Sequence, residues 1–350
     1  MPGILHYMKW PFIVTIAGLV LSAFIGWEYS RSLGGMLSFL MIAAVLAVLE
    51  ISLSFDNAIV NANKLKTMSP VWQQRFLTWG ILIAVFGMRI LFPLLIVVIA
   101  AQIGPIEAVI LAATQPAEYA HLVESAHLSI AAFGGSFLML VALSFFFDQS
   151  KDVDWIGALE RYLRSAGSVR GAEVGFVLIC VLIFVWLLPV RDEATFMFAA
   201  MWGIVTFLAV DGLGAVLDRW GGGEASHSAA KAGLGGFLYL EVLDASFSFD
   251  GVIGAFALTQ NLFLIAIGLG IGAMYVRSMT VMLVEKGTLA EFRFLEHGAF
   301  WSILILSLVM FAQTMWTIPE VVTGLIGACV IGFSLFSSIR WRRLHGHHAD

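Results

Sequence analysis

Two acidic segments stand inside the apolar sequence of this chain, one at residues 50–57 and one at 241–251. Together they contribute five carboxylates, at Glu50, Asp56, Glu241, Asp244 and Asp250. An ionisable side chain inside a membrane is energetically costly, and it is therefore a marker of an ion pathway. The sequence predicts that these acids belong to a functional site within a membrane.

The two acidic segments also align with each other. When the Ser-Phe-Asp run at 54–56 is placed on the same run at 248–250, Glu50 falls opposite Asp244, and each lies six residues before its aspartate. Chance does not explain why the same six-residue spacing between two acids occurs in both segments. We interpret the pattern as an internal duplication.

Composition limits the fold class. Apolar side chains make up 60% of the 350 residues and charged ones 12%, whereas a soluble domain carries about 25% charged residues. We therefore predict an all-α, polytopic membrane protein that contacts the lipid bilayer and no nucleic acid. The cysteines Cys180 and Cys329 stand alone in apolar runs, so we expect them to pack, with no disulfide and no zinc site. No cofactor is expected.

Ten hydrophobic runs are long enough to cross a bilayer. They lie at 10–27, 36–59, 76–101, 126–147, 174–190, 194–217, 234–258, 261–284, 297–315 and 319–339. Cytoplasmic loops collect Lys and Arg, and with the N-terminus inside, 15 of the 19 basic residues fall in inside loops and only Arg31 and Arg191 in outside loops. We expect a bacterial inner-membrane protein with both termini in the cytoplasm.

The duplication extends beyond the acids, because Arg89 and Arg277 follow the two segments in the third and eighth predicted helices. The acidic helices are the second and the seventh, so they cross the membrane in opposite directions. We therefore expect two inverted repeat halves of five helices each, 1–190 and 191–350. Such repeats are found in secondary transporters, with the substrate site near the midplane at the repeat interface.

Helix geometry predicts a local break in the first segment. Glu50 and Asp56 lie about 120° apart on a straight helix, so they cannot both face one ion. A break at 52–57 would let carboxylates and freed carbonyls converge. In the second segment Glu241 and Asp244 are three residues apart and already share a face.

At these residues the chain resembles the TerC family of integral membrane proteins, which are associated with tellurium resistance and, in several members, with manganese export. The first-half pattern of that family, Glu-x-x-Leu-Ser-x-Asp-Asn, is matched by Glu50, Leu53, Ser54, Asp56 and Asn57. Its second-half pattern, Glu-x-x-Asp and then Asp-Ser after five residues, is matched by Glu241, Asp244 and Asp250, with Gly251 in place of the serine. The resemblance is to a divergent, longer branch, and it implies manganese transport.

We predict a cation site formed by six residues of the two segments: Glu50, Asp56, Asn57, Glu241, Asp244 and Asp250. Ser54 and Ser248 would supply or orient oxygen atoms. Arg89 and Arg277 would serve either as counter-ions for unbound carboxylates or as structural ion-pair partners. Oxygen ligands suit hard cations, so Mn²⁺ is the first candidate substrate, followed by Mg²⁺ and Ca²⁺.

Three other features receive a structural interpretation. The polar stretch at 148–173 is compatible with a helix and is predicted to be a cytoplasmic loop. His297 is interpreted as a packing or hydrogen-bonding residue rather than a metal ligand. The glycines at 268, 270 and 272 are predicted to allow close helix packing.

The expected function is therefore a secondary transporter, not an enzyme, that exports a divalent cation and is coupled to an ion gradient, with protons as the candidate coupling ion. Two alternatives come from other classes of protein. One is an intramembrane aspartyl hydrolase that uses Asp56 and Asp250, which would leave the other three acids unexplained. The other is a non-transporting membrane scaffold in metal or tellurite stress response. No protein partner is indicated.

Overall fold

The computed structural model describes residues 4–220 and 225–345, and every regular element in these two ranges is helical. The helices are α1 (Ile4–Ser30), α2 (Leu33–Leu53), α3 (Phe55–Lys66), α4 (Pro70–Leu82), a π-helical segment (Ile83–Leu91), α5 (Phe92–Ala101), α6 (Pro105–Thr114), α7 (Pro116–Ser125), α8 (His127–Phe147), α9 (Gly157–Ala166), α10 (Ala172–Leu187), α11 (Val190–Trp220), α12 (Ala225–Leu258), α13 (Leu262–Glu285), α14 (Thr288–Glu291), α15 (Leu295–Gln313) and α16 (Glu320–His345). The predicted all-α class is confirmed for these ranges.

Seven of the described helices are long and apolar enough to cross a membrane. They are α1, α2, α8, α11, α13, α15 and α16. An eighth span results if Pro70–Gly80 and Ile83–Ile99, which are bent by 42° relative to each other, are counted together. These helices give the chain the character of a membrane protein.

The predicted number of ten spans is higher than this count. The run predicted at 174–190 corresponds to α10, which has 16 residues. At 1.5 Å per residue such a helix is shorter than the roughly 30 Å hydrocarbon core of a bilayer. The run at 234–258 lies within α12, a helix of 34 residues. The inverted arrangement of two halves stays a prediction.

Helix α8 lies at the centre of the molecule, because 14 of its 21 residues are buried. It packs against α11 and α15. Glycine makes the second contact possible, since a methyl group on Gly135 would lie 2.7 Å from the ring of Phe311 in α15. In contrast, α1 packs on the outside of α2 and α13 and exposes apolar side chains such as Trp10 and Ile16, as a lipid-facing helix does.

Close packing of α13 on α2 confirms the prediction for the glycines at 268–272. A methyl group on Gly268 would lie 2.5 Å from Leu46 Cβ, and one on Gly272 would overlap the side chain of Glu50. The small residues thus let α13 approach the end of α2, where the first acidic segment begins. This contact positions Glu50 for the site described below.

Candidate functional site

The first acidic segment is broken, as the sequence predicts. Helix α2 ends at Leu53 and α3 begins at Phe55, with Ser54 between them at φ −102° and ψ 17°. Glu50 consequently lies in the last turn of α2, and Asp56 lies in the first turn of α3. Free backbone N–H groups at a helix start favour a carboxylate there. The break therefore gives the two acids different surroundings.

Glu50 forms a buried ion pair with Arg89, which stands in the π-helical segment. Each of the two side chains is 4% exposed. Arg89 also donates from Nε to Leu269 O in α13 at 3.0 Å and from Nη1 to Ala84 O. A charge buried this deeply is tolerated when it is both paired and hydrogen-bonded. The pair joins α2, the π-helical segment and α13, and π-helical turns are frequent at functional sites.

Asp244 of α12 is joined to Asn57 of α3, because Nδ2 of Asn57 donates to Oδ1 of Asp244 at 2.7 Å. Both residues are buried. Three nearby oxygen atoms are buried and accept no hydrogen bond: Asn57 Oδ1, Asn61 Oδ1 and Ser248 Oγ. Unpaired buried polar atoms are costly and rare in folded proteins. Their presence together indicates a polar site rather than a packed core.

These oxygen atoms surround a cavity of about 20 Å³, here called the central chamber. Its polar lining consists of Glu50, Ser54, Asn57, Asn61, Arg89, Asp244, Ser248, Arg277 and Thr280. Seven of the ten predicted site and supporting residues are in this set. A cavity of this volume has room for about one water molecule. The structure therefore brings most of the two acidic segments and both arginines around one small space.

Asp56 borders a second cavity of about 40 Å³, here called the Asp56 chamber. Its Oδ2 accepts a hydrogen bond from Ser302 Oγ of α15, and its Oδ1 accepts one from the Asn57 N–H, each at 2.8 Å. Thr323 of α16 also lines this chamber. The two chambers adjoin, because they share three lining residues: Glu50, Ser54 and Phe247.

Glu241 lies beside the central chamber and is not part of its lining. Both of its carboxylate oxygens are buried and accept no hydrogen bond. A methyl group added to Gly80 of α4 would lie 2.8 Å from Glu241 Oε1 and would overlap Arg277 Nη2. Arg277 also stacks on Phe76, with its Cζ 3.7 Å from the ring centroid. Glycine at position 80 thus leaves space for both side chains, which approach each other without a hydrogen bond between them.

Asp250 is the remaining predicted ligand, and its side chain lies outside the described residues. The second acidic segment lies within α12, which runs without a break from Ala225 to Leu258. Among the side chains that the structure describes, no three His, Cys, Asp or Glu residues gather into a group that could hold a metal ion. The described acids are instead distributed over the two chambers and the Gly80 contact.

Comparison with known proteins gives the family. The profile of one family, described as "Protein of unknown function (DUF475)", matches residues 55–345. The chain belongs to the DUF475 family. No curated protein and no solved structure matches it. The matched region begins at the first residue of α3 and includes Asp56 and Asp244, whereas Glu50 and Ser54, which line both chambers, precede it.

Five polar lining residues of this DUF475 protein escaped the sequence prediction of the site: Ser52, Asn61, Thr280, Ser302 and Thr323. Residues three and four apart share a helix face. Asn61 follows Asn57 by four positions and Thr280 follows Arg277 by three, so their spacing could have identified them. Ser302 and Thr323 come from α15 and α16, and no local pattern signals them.

A separate buried acid of this DUF475 protein is Glu160 in α9, within the stretch that was predicted to be a loop. It is 0% exposed. His297 Nδ1 lies 2.7 Å from its Oε2, Trp301 Nε1 donates to its Oε1 at 2.9 Å, and Lys151 Nζ donates to its Oε2 at 3.2 Å. The interpretation of His297 as a hydrogen-bonding residue is confirmed.

The surroundings of Glu160 decide its ionisation. Burial is the largest single effect and raises the pKa of this carboxyl, but the hydrogen bonds from His297 and Trp301 and the charges of His297 and Lys151 together outweigh it and lower the pKa to about 2. Glu160 is therefore a permanently charged acid at neutral pH. It attaches the segment between α8 and α10 to the start of α15.

Proposed function

We propose that this DUF475 protein is a secondary transporter that exports a divalent cation, with Mn²⁺ as the first candidate and Mg²⁺ and Ca²⁺ as the others. The observation that carries the proposal is the location of Asp56 and Asp244, two buried acids that border adjoining chambers next to a helix break. Buried acids on apolar helices are typical of ion pathways. All the candidate ligands are oxygen atoms, which these hard cations prefer.

The unpaired oxygen atoms of the central chamber support the same substrate class. Asn57 Oδ1, Asn61 Oδ1 and Ser248 Oγ accept no hydrogen bond, and Asp244 lies beside them. A cation satisfies acceptors of this kind, because it supplies the positive charge that a hydrogen-bond donor otherwise provides. Arg89 already compensates Glu50, so Asp56 and Asp244 are the charged ligands that we propose among the described lining residues, beside the predicted ligand Asp250.

We also propose that the two halves form an inverted pair around this site. In support, the aligned acids Glu50 and Asp244 and the aligned arginines Arg89 and Arg277 all line the central chamber. The resemblance of the acidic segments to the TerC family supports a metal substrate. The distribution of Lys and Arg supports an inner-membrane location with cytoplasmic termini. Protons are the proposed coupling ion, since a protonated carboxylate is a poor cation ligand.

Transport of Mn²⁺ into everted membrane vesicles tests the proposal. Asp56→Asn keeps the size of the side chain and removes its charge, so transport should be lost while the protein stays folded in the membrane. Asp250→Asn is expected to behave in the same way. Glu118→Gln, at an exposed acid on α7, is the matched control and should transport normally. Transport at the wild-type rate by Asp56→Asn would show that the proposal is wrong.

A further inference from the structure

The Asp56 chamber is lined by a residue whose hydroxyl group forms no hydrogen bond within the protein. Thr323 of α16 is 8% exposed, and its Oγ1 is buried and has no hydrogen-bond partner. Threonine hydroxyls inside helices ordinarily bond to a backbone carbonyl of the preceding turn. Thr323 lines the chamber together with Asp56 and Ser302. An unpaired, buried hydroxyl that lines the same cavity as the Asp56 carboxylate indicates that the cavity binds a ligand with which the hydroxyl pairs.

The charge of this chamber differs from that of the central chamber. The described partners of Asp56 are uncharged, namely the Ser302 hydroxyl and the Asn57 N–H. In the central chamber, by contrast, both Arg89 and Arg277 are part of the lining. Asp56 therefore has no described cationic partner, whereas the two carboxylates of the central chamber, Glu50 and Asp244, share their lining with two guanidinium groups.

The space in the Asp56 chamber also differs. Its volume of about 40 Å³ is twice the roughly 20 Å³ of the central chamber, which leaves room for about three waters or for a cation and part of its hydration shell. Small divalent cations give up their waters reluctantly and are often held by only one or two carboxylates. One carboxylate, two hydroxyl groups and water are a ligand set of that kind.

We propose that the Asp56 chamber is a separate cation subsite, in which a partly hydrated divalent cation is bound by Asp56, Ser302 and Thr323 next to the central chamber. The inference rests on the proposed function and adds residues of α15 and α16 to it. Ser302 donates its proton to Asp56, so its oxygen lone pairs remain available. Thr323 supplies an oxygen that determines affinity at this subsite.

The test is Thr323→Val, which replaces the hydroxyl with a methyl group. Because Oγ1 has no partner, a purely structural threonine should tolerate this change, and the unfolding temperature should stay the same or rise. Affinity for Mn²⁺ in detergent, measured by calorimetry, should fall by about three- to tenfold, the scale of one lost polar contact. Ser302→Ala should also weaken binding, since it removes a second oxygen.

Ser334→Ala is the matched control. Ser334 lies on the same helix and is buried, but its hydroxyl donates to Ile331 O within the helix, so its loss should leave Mn²⁺ affinity unchanged. Wild-type affinity in Thr323→Val, with transport intact, overturns the subsite and leaves the proposed function in place. An absence of Mn²⁺ binding and transport in the wild type overturns both.

Discussion

Asn57 Nδ2 donates a hydrogen bond of 2.7 Å to Asp244 Oδ1, although the two residues are 187 positions apart. Asn57 belongs to the first acidic segment and Asp244 to the second. The bond therefore joins the two segments directly, within the buried part of the molecule. An amide is a suitable partner here, because it supplies a donor to the carboxylate without cancelling its charge.

Removal of this donor should destabilise the protein. Asn57→Ala leaves Asp244 Oδ1 without its hydrogen bond, and hydrogen bonds to charged groups are worth about 1.5–3 kcal/mol. We expect a lower unfolding temperature in detergent. In an Asp244→Asn background the same substitution should cost less, because the partner is then neutral. Equal costs in the two backgrounds would show that the bond does not act on the Asp244 charge.

The Glu50–Arg89 pair predicts a compensating double substitution. Glu50→Gln leaves the buried Arg89 guanidinium without its carboxylate, and loss of one partner of a buried pair typically costs about 3–5 kcal/mol. Arg89→Gln should be similarly destabilising. The double variant Glu50→Gln/Arg89→Gln removes both charges and should recover much of the loss. Thermal unfolding of the four proteins measures this, and a double variant as unstable as the sum of the single ones would contradict it.

Glu160 predicts a loss of stability in acid. The pKa of its carboxyl is lowered from 4.5 to about 2 in the folded protein, so the folded state holds the proton less tightly than the unfolded state. The resulting stabilisation is fully present above pH 4.5 and is lost as the pH falls towards 2. Glu160→Gln should lack this part of the pH dependence, whereas Glu118→Gln should keep it. Identical unfolding profiles for Glu160→Gln and wild type between these pH values would contradict the prediction.

Topology gives a test of the inverted halves. Reporter fusions at Glu118 and Gln260 should be periplasmic, and fusions at Ser69 and Ser226 should be cytoplasmic. The expected sides follow from the distribution of Lys and Arg over the loops. A periplasmic result at Ser226 would remove the opposite orientation of the two acidic helices.

The local features of the site could be predicted from the sequence. The break near Ser54 follows from the angle between Glu50 and Asp56, and the close packing at Gly268 and Gly272 follows from glycine spacing, although the partner helix does not. Both predictions depend on neighbouring residues and on helix geometry, which sequence patterns report directly. For the same reason most of the polar residues that line the central chamber could be predicted from the sequence.

Long-range partners could not be predicted in this way. Glu160 has the sequence pattern of a solvated charge in a polar stretch, and its long-range contacts with His297 and Trp301 of α15 are not visible in that pattern. No sequence pattern distinguishes Ser302 from other serines in helices. Its place in the site depends on the long-range hydrogen bond to Asp56 of α3. The ten predicted spans stay a prediction, because hydrophobic runs show where an apolar helix lies without fixing its length, and α10 is such a helix with only 16 residues.

Trp301 and Ser302 are consecutive residues of α15, and they point about 100° apart around its axis. The first donates a hydrogen bond to Glu160 in the segment between α8 and α10, and the second donates one to Asp56 in the first turn of α3. A rigid shift or rotation of α15 must therefore displace both acids or break both bonds. Two adjacent residues of α15 consequently connect the segment between α8 and α10 with the Asp56 chamber in the interior of the protein.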